Sequence, residues 1–217
     1  IRMNESGAAD KVSMIKTENF KMEGGELNMR AAYRSGIECA GFTMSSGKLD
    51  MTVLGNSQYT GSGLLTTGGV TFSGGTAKIQ SDGDAVQCSS LSIQDGVEIL
   101  KFISTAASEQ DGNYMAVDAS FVTLPTERAT CVSDNADGSG VTVLPNNYTG
   151  HLAGNDYVEV MKCWTINGTI SGVTSSTKTS VALYKSGSST PMATTTVTGN
   201  GKFTFEKVEA GTYTVKA

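Results

Sequence analysis

Tyr33, Arg34, Asn56, Gln58 and Tyr59 are the side chains best suited to gripping a ligand rich in hydroxyls or carboxylates. An aromatic face stacks on a sugar ring, amides bond hydroxyls, and a guanidinium forks onto a carboxylate. The same five would also serve as ordinary exposed loop residues. Reactive constellations are missing. His151 lies in a Gly/Asn-rich loop with no Ser or Cys partner at a recognisable spacing, and reads as a surface residue. Neither a nucleophile elbow nor a phosphate loop occurs, so no catalysis is expected.

The bulk composition narrows the setting. Of 217 residues, 17% are charged, 26 are Gly and only 3 are Pro. That profile suits a β-rich extracellular protein and not a cytoplasmic helical enzyme. The net charge is −5, and Lys and Arg are scattered singly, so a nucleic-acid partner is not expected. No apolar run approaches the ~18 residues of a membrane span. Absence of a Cys-x-x-Cys or Cys/His cluster argues against structural zinc.

The elements that position the gripping residues emerge from an internal repeat. Segments beginning at Ser13, Ser35, Gly63 and Asp84 superimpose without a gap. Their columns read Ile15/Ile37/Leu65/Val86, Thr17/Cys39/Thr67/Cys88, Phe20/Phe42/Val70/Leu91 and Met22/Met44/Phe72/Ile93, followed by Gly25/Gly47/Gly75/Gly96. A period in the twenties with period-2 alternation inside each repeat is a solenoid of strands. Three short strands per repeat, with no room for a helix, predict a parallel β-helix whose columns are interior ladders ~4.8 Å apart. Cys39 and Cys88 then share a ladder two coils apart, ~9.6 Å, beyond the ~7 Å limit for a disulfide. They are expected as buried thiols; Cys131–Cys163 pairing stays open.

One connection varies in length, from the last strand of a repeat to the next repeat. It is longest between Met51 and Leu65 and shortest between Ile79 and Val86. Insertions gathered at one corner map to one side of a solenoid, often the binding side, and Tyr33, Arg34, Asn56, Gln58 and Tyr59 all fall there. Outward columns Glu26/Lys48/Thr76 and Asn28/Asp50/Lys78 read as solvated charge pairing. Ile1 and Met3 fit the last strand of a preceding coil, which leaves the N-terminal end of the stack uncapped. After Gly96 the column holds Glu98, and a one-residue slip is expected. The order is then a β-helix over 1–101 and an irregular β-rich transition over 102–160, with strand-like pieces at 116–122 and 140–144. A small sandwich follows over 161–217, with strands near Trp164–Ile170, Val181–Tyr184, Thr194–Val197, Lys202–Phe205 and Val208–Val215. Trp164 is expected in its core.

Two resemblances add to this reading. GIECAGFTMSSGKLDM and DAVQCSSLSIQDG resemble a clostridial pectate-lyase-like β-helix family that binds carbohydrate. The likeness implies a right-handed parallel β-helix, a secreted protein, an acidic plant polysaccharide as ligand, and calcium held by turn aspartates. Carried over, it puts Asp82 and Asp84 forward as calcium ligands, against the alternative of a plain Asp-Gly turn. Ser13, Ser35 and Gly63 stand where Asp84 sits, so the other repeats depart from that pattern. A lyase of this kind would want a basic residue beside a carboxylate trio, and Arg30, Arg34 and Lys78 meet no such cluster in the aligned columns. GNGKFTFEKVEAGTYTVKA resembles carboxypeptidase regulatory-like and Cna-B-type, prealbumin-like modules, which usually continue into one more strand. Some carry a Lys–Asn isopeptide, for which Lys162 is the placed lysine. The expected function is non-catalytic, calcium-assisted binding of acidic polysaccharide through Tyr33, Arg34, Asn56 and Tyr59. The alternative is a self-assembling filament or adhesin subunit, a homo-polymer joined through the exposed N-terminal coil and the incomplete C-terminal sandwich.

Overall fold

The computed structural model describes residues 13–31, 34–55, 60–105, 114–145, 148, 152, 154–208 and 211–217. Among them the chain is all-β, with no helix and no closed barrel. It divides into two compact units, Ile1–Met161 and Lys162–Ala217.

The first unit holds β1 (Ser13–Lys16), β2 (Asn19–Ala31), β3 (Ser35–Cys39), β4 (Gly41–Val53), β5 (Ser62–Thr66), β6 (Gly69–Phe72), β7 (Gly75–Ser81), β8 (Val86–Ile93) and β9 (Val97–Ser104). It continues with β10 (Val117–Thr123), β11 (Arg128–Ser133), β12 (Thr142–Val143) and β13 (Tyr157–Lys162). Strands one repeat apart pair in parallel. β1, β3, β5, β8 and β10 form one succession, and β2, β4, β7 and β9 another, with β6 between β4 and β8.

Most expected columns are hydrogen-bonded neighbours. Phe20 faces Phe42, Phe42 faces Val70, and Val70 faces Leu91. Glu26 faces Lys48, with Nζ 2.8 Å from Oε1, and Asn28 faces Asp50, which faces Lys78. Inward residues Met44, Met51, Phe72 and Ile79 are fully buried. Phenylalanines add a stack that steps between columns: Phe20–Phe42, Phe42–Phe72 and Phe72–Phe102 lie 5.5, 5.4 and 5.5 Å apart by ring centroid. Gly25, Gly47 and Gly75 bend the strands with φ of 75°, 92° and 82°. A Cβ on Gly47 would sit 2.6 Å from the Gly25 carbonyl oxygen. Glycine there meets both the left-handed backbone and the close approach.

Two register expectations are corrected. In the third repeat Ile37 faces Leu64, not Leu65, and Cys39 faces Thr66, not Thr67. The chain carries one more residue between Thr66 and Val70 than the other repeats do, and Thr67 is exposed. In the fourth repeat Gly75 faces Val97, not Gly96, and the expected one-residue slip follows between Gly75 and Thr76, so that Thr76 faces Ile99, Ala77 faces Leu100 and Ile79 faces Phe102. A one-residue slip alone would turn every side chain to the wrong face. The offset at Gly75 and the slip after it together keep parity, so Glu98, which has no register partner on β7, and Ile99 are exposed while Leu100 and Phe102 stay buried.

Beyond the repeats, β10 continues the first ladder on β8, with Ala119 opposite Cys88. β13 lies antiparallel on β9, and β11 and β12 follow it in the same sheet. Val132, Leu152, Val158 and Val160 join the core of the repeats. Cys39 and Cys88 are buried thiols, and no disulfide joins Cys131 to Cys163. Ile1 and Met3 lie outside the described residues.

The second unit holds β14 (Trp164–Ile170), β15 (Lys178–Lys185), β16 (Ala193–Thr198), β17 (Gly201–Val208) and β18 (Tyr213–Lys216). β14 pairs β17, and β15 lies between β16 and β18, all antiparallel. Alternation puts Val181, Leu183, Val197, Phe205 and Val208 in one small core, while Ile166, Ile170, Phe203 and Tyr213 are only half-buried. Trp164, expected in that core, is 44% exposed. The Lys162 Nζ lies 5.5 Å from the centre of its indole, a cation–π contact.

Candidate functional site

The inserted connections all spring from the corner where β2, β4, β7 and β9 end and the next repeat begins. Of the expected ligand-binding residues, Tyr33, Asn56, Gln58 and Tyr59 lie outside the described residues, as does His151. Arg34 is described and exposed, and its carbonyl accepts from Ser62 N at 2.7 Å. Its charge also reaches Glu38. That carboxylate is held below its ordinary range chiefly by Lys16, with Nζ 2.6 Å away, and by the Ser13 hydroxyl, with Arg34 contributing less.

Asp82 ties down the insertion between β4 and β5. Its Oδ2 accepts from Gly55 N at 2.8 Å and its Oδ1 from Gly61 N at 2.6 Å. The turn it belongs to adds backbone bonds on the same two sides. Asp82 N donates to the Val53 carbonyl at 3.3 Å, and Gly83 N to the Gly61 carbonyl at 3.0 Å. Asp84 does related work for the next insertion. Its buried Oδ1 accepts from Met115 N at 2.9 Å, while Thr105 N donates to the Ser81 carbonyl at 2.7 Å. Burial pushes the Asp84 carboxyl up to about 6, opposed by the Met115 bond and assisted by the charge of Asp118. Asp118 itself accepts from Gln87 Nε2 at 3.1 Å.

Calcium needs six to eight oxygen ligands. At Asp82 each carboxylate oxygen accepts one backbone N–H. Asp84 is a desolvated acid bound to an amide. Among the described residues no group of three His, Cys, Asp or Glu side chains is placed to hold a metal. What the two carboxylates share is the gathering of backbone amides.

A groove of about 450 Å³ on the second unit, lined by Asn167, Gly168, Thr169, Lys202, Phe203 and Thr204, was not foreseen from the sequence. Phe203 lies over bare Gly168, where a Cβ would collide with its ring, and Thr204 Oγ1 donates to Asn167 Oδ1 at 2.9 Å. Pairing across β14 and β17 creates it, and nothing in either strand alone signals the contact. Comparison with known proteins places no relative beside the chain: no family model, no curated protein and no solved structure matches it.

Proposed function

We propose that this is a non-catalytic extracellular binding protein that takes acidic polysaccharide at the inserted corner of a right-handed parallel β-helix. The β-helix reading draws on the parallel succession of ladders and on the right-handed preference of parallel crossovers. The observation that carries the function is the anchoring of the corner. Insertions leave one side of a packed stack, and their feet are bonded to it through Asp82, Asp84 and Ser81. Binding residues on loops of a rigid frame lose little freedom when they meet a ligand. Arg34 supplies a cation for carboxylated sugar, and Tyr33, Asn56 and Tyr59 supply stacking and hydroxyl contacts. The binding is metal-independent, because Asp82 and Asp84 are already committed to amides. Retention on a polygalacturonate gel, unchanged by calcium or chelator and weakened about 10-fold or more in Arg34→Ala, is the expected result. Passage of the wild type through the gel without retention would sink the proposal.

A self-assembling structural subunit is the second reading, favoured by the second unit. Its β14–β17 sheet, prealbumin-like in this proposal, leaves Ile166, Ile170 and Phe203 half-buried and Trp164 exposed, a face that an added strand would cover. Stacking onto β9 is disfavoured because antiparallel β13 already occupies that edge. Ordered polymers in light scattering, with no sugar retention, would favour this reading over the first.

A further inference from the structure

Aspartates at the turns of the repeats share a habit. Asp95 accepts from Glu127 N at 2.6 Å and from the Thr126 hydroxyl at 3.1 Å, tying a later connection down as Asp84 ties Met115. Asp82 differs in one respect. Both of its donors, Gly55 and Gly61, belong to one connection, between β4 and β5. We propose that Asp82 is the positioning residue of the inserted corner, its carboxylate holding Gly55 and Gly61, the two feet of the β4–β5 connection, together without a metal.

The physical case rests on four bonds. Hydrogen bonds to an ionised carboxylate are about twice as strong as neutral ones. Two of them converge on Asp82, and the amides of Asp82 and Gly83 return two more, to Val53 and Gly61. Because the residues that bond Asp82 lie in an earlier repeat, the mouth of one insertion is closed by the turn of the next. That closure needs only the stacking of the repeats. Its consequence for sugar binding rests on the function proposed above, but the closure itself is measurable without ligand.

Amide hydrogen exchange on the full chain, read by NMR, tests it. In the wild type Gly55 and Gly61 N–H are expected to be protected, and millimolar calcium is expected to leave their resonances in place. Asp82→Ala should speed exchange at both glycines by about 10-fold or more while amides of the buried Phe42 and Phe72 keep theirs. Asp82→Asn keeps the shape but only one acceptor oxygen, so one glycine amide should lose protection and the other retain it. If Asp82→Ala also loosens the core, the wild-type and Asp82→Asn measurements decide. Unprotected glycine amides in the wild type, calcium-dependent shifts at both, or an Asp82→Asn indistinguishable from wild type would each overturn the proposal. Protected glycines together with failed polygalacturonate retention would leave the clasp standing and remove the binding function.

Discussion

Phe72 and Phe203 are both inward-facing strand phenylalanines, yet one is fully buried and the other half-exposed. Phe72 lies between Phe42 and Phe102, with a repeat above and another below. Phe203 lies at the margin of a two-stranded sheet, against Phe205 and bare Gly168. Stacked repeats bury a column from both sides, so each added strand completes the layer beneath it. Two thin sheets bury only the middle of each face, and Ile166 and Ile170 share the partial cover of Phe203. The largest fully buried side chains, among them Phe42, Phe72, Phe102 and Met29, belong to the first unit. Repetition, rather than apolar content, makes the drier core.

That contrast can be broken most sharply at its centre. Phe72→Ala removes the middle of the stack and is expected to cost about 3–5 kcal/mol, because neighbours held by ladders cannot collapse into the void. Phe203→Ala should cost about 1–2 kcal/mol, since part of its surface already meets water. Calorimetry comparing the two variants checks this, and equal losses would mean that the two cores do not differ as described. Gly47→Ala falls between them, at about 1–3 kcal/mol, from a Cβ forced onto a left-handed backbone and against the Gly25 carbonyl. An alanine at Gly24, where no atom approaches an added Cβ, is the control.

Both strengths and gaps of the sequence reading follow from which forces are periodic. Columns such as Phe20/Phe42/Val70/Leu91 are readable because alternation inside each repeat specifies parallel register even where the connection between repeats varies in length. Leu64 was hidden behind Leu65 because an ungapped alignment cannot absorb one extra residue beside Gly68 and Gly69. The break at Glu98 is legible in the sequence, and only the pairing of Leu100 with Ala77 gives the register beyond it. Asp82 stands out in the sequence by its type and its turn. Its partners are 27 and 21 residues away, and an acid that binds amides is written with the same letter as one that binds a cation. Trp164 was misplaced because strand parity says which face a residue takes, not whether a neighbouring sheet extends far enough to cover it.

Electrostatics sharpen the comparison at smaller scale. Burial pushes the Asp84 carboxyl up from 3.8 to about 6, so the folded chain holds that proton more tightly than the unfolded chain does. Folding therefore takes up a proton between about pH 4 and pH 6, and this group's contribution to stability falls as pH rises through that window and is flat above it. Asp84→Asn keeps an acceptor for Met115 N and should remove that slope from urea midpoints measured across the window. An unaltered slope would place the titration elsewhere.

The smallest effect belongs to the outward ladder. Lys48 and Glu26 face each other at 2.8 Å, each raising or lowering the other's pKa in the favourable direction, but both side chains are more than half exposed. Water already solvates both charges, and holding two long side chains in one geometry costs the freedom that the attraction regains. Lys48→Ala is expected to leave the urea midpoint within error of wild type at 0.15 M salt, where screening acts within about 8 Å. A clear loss there would mean that the stack relies on its surface ladder as well as its interior. The gap between Phe72 and Phe203 would then have to be read as a difference in charge pairing along the two units, and not only in how completely each covers its phenylalanines.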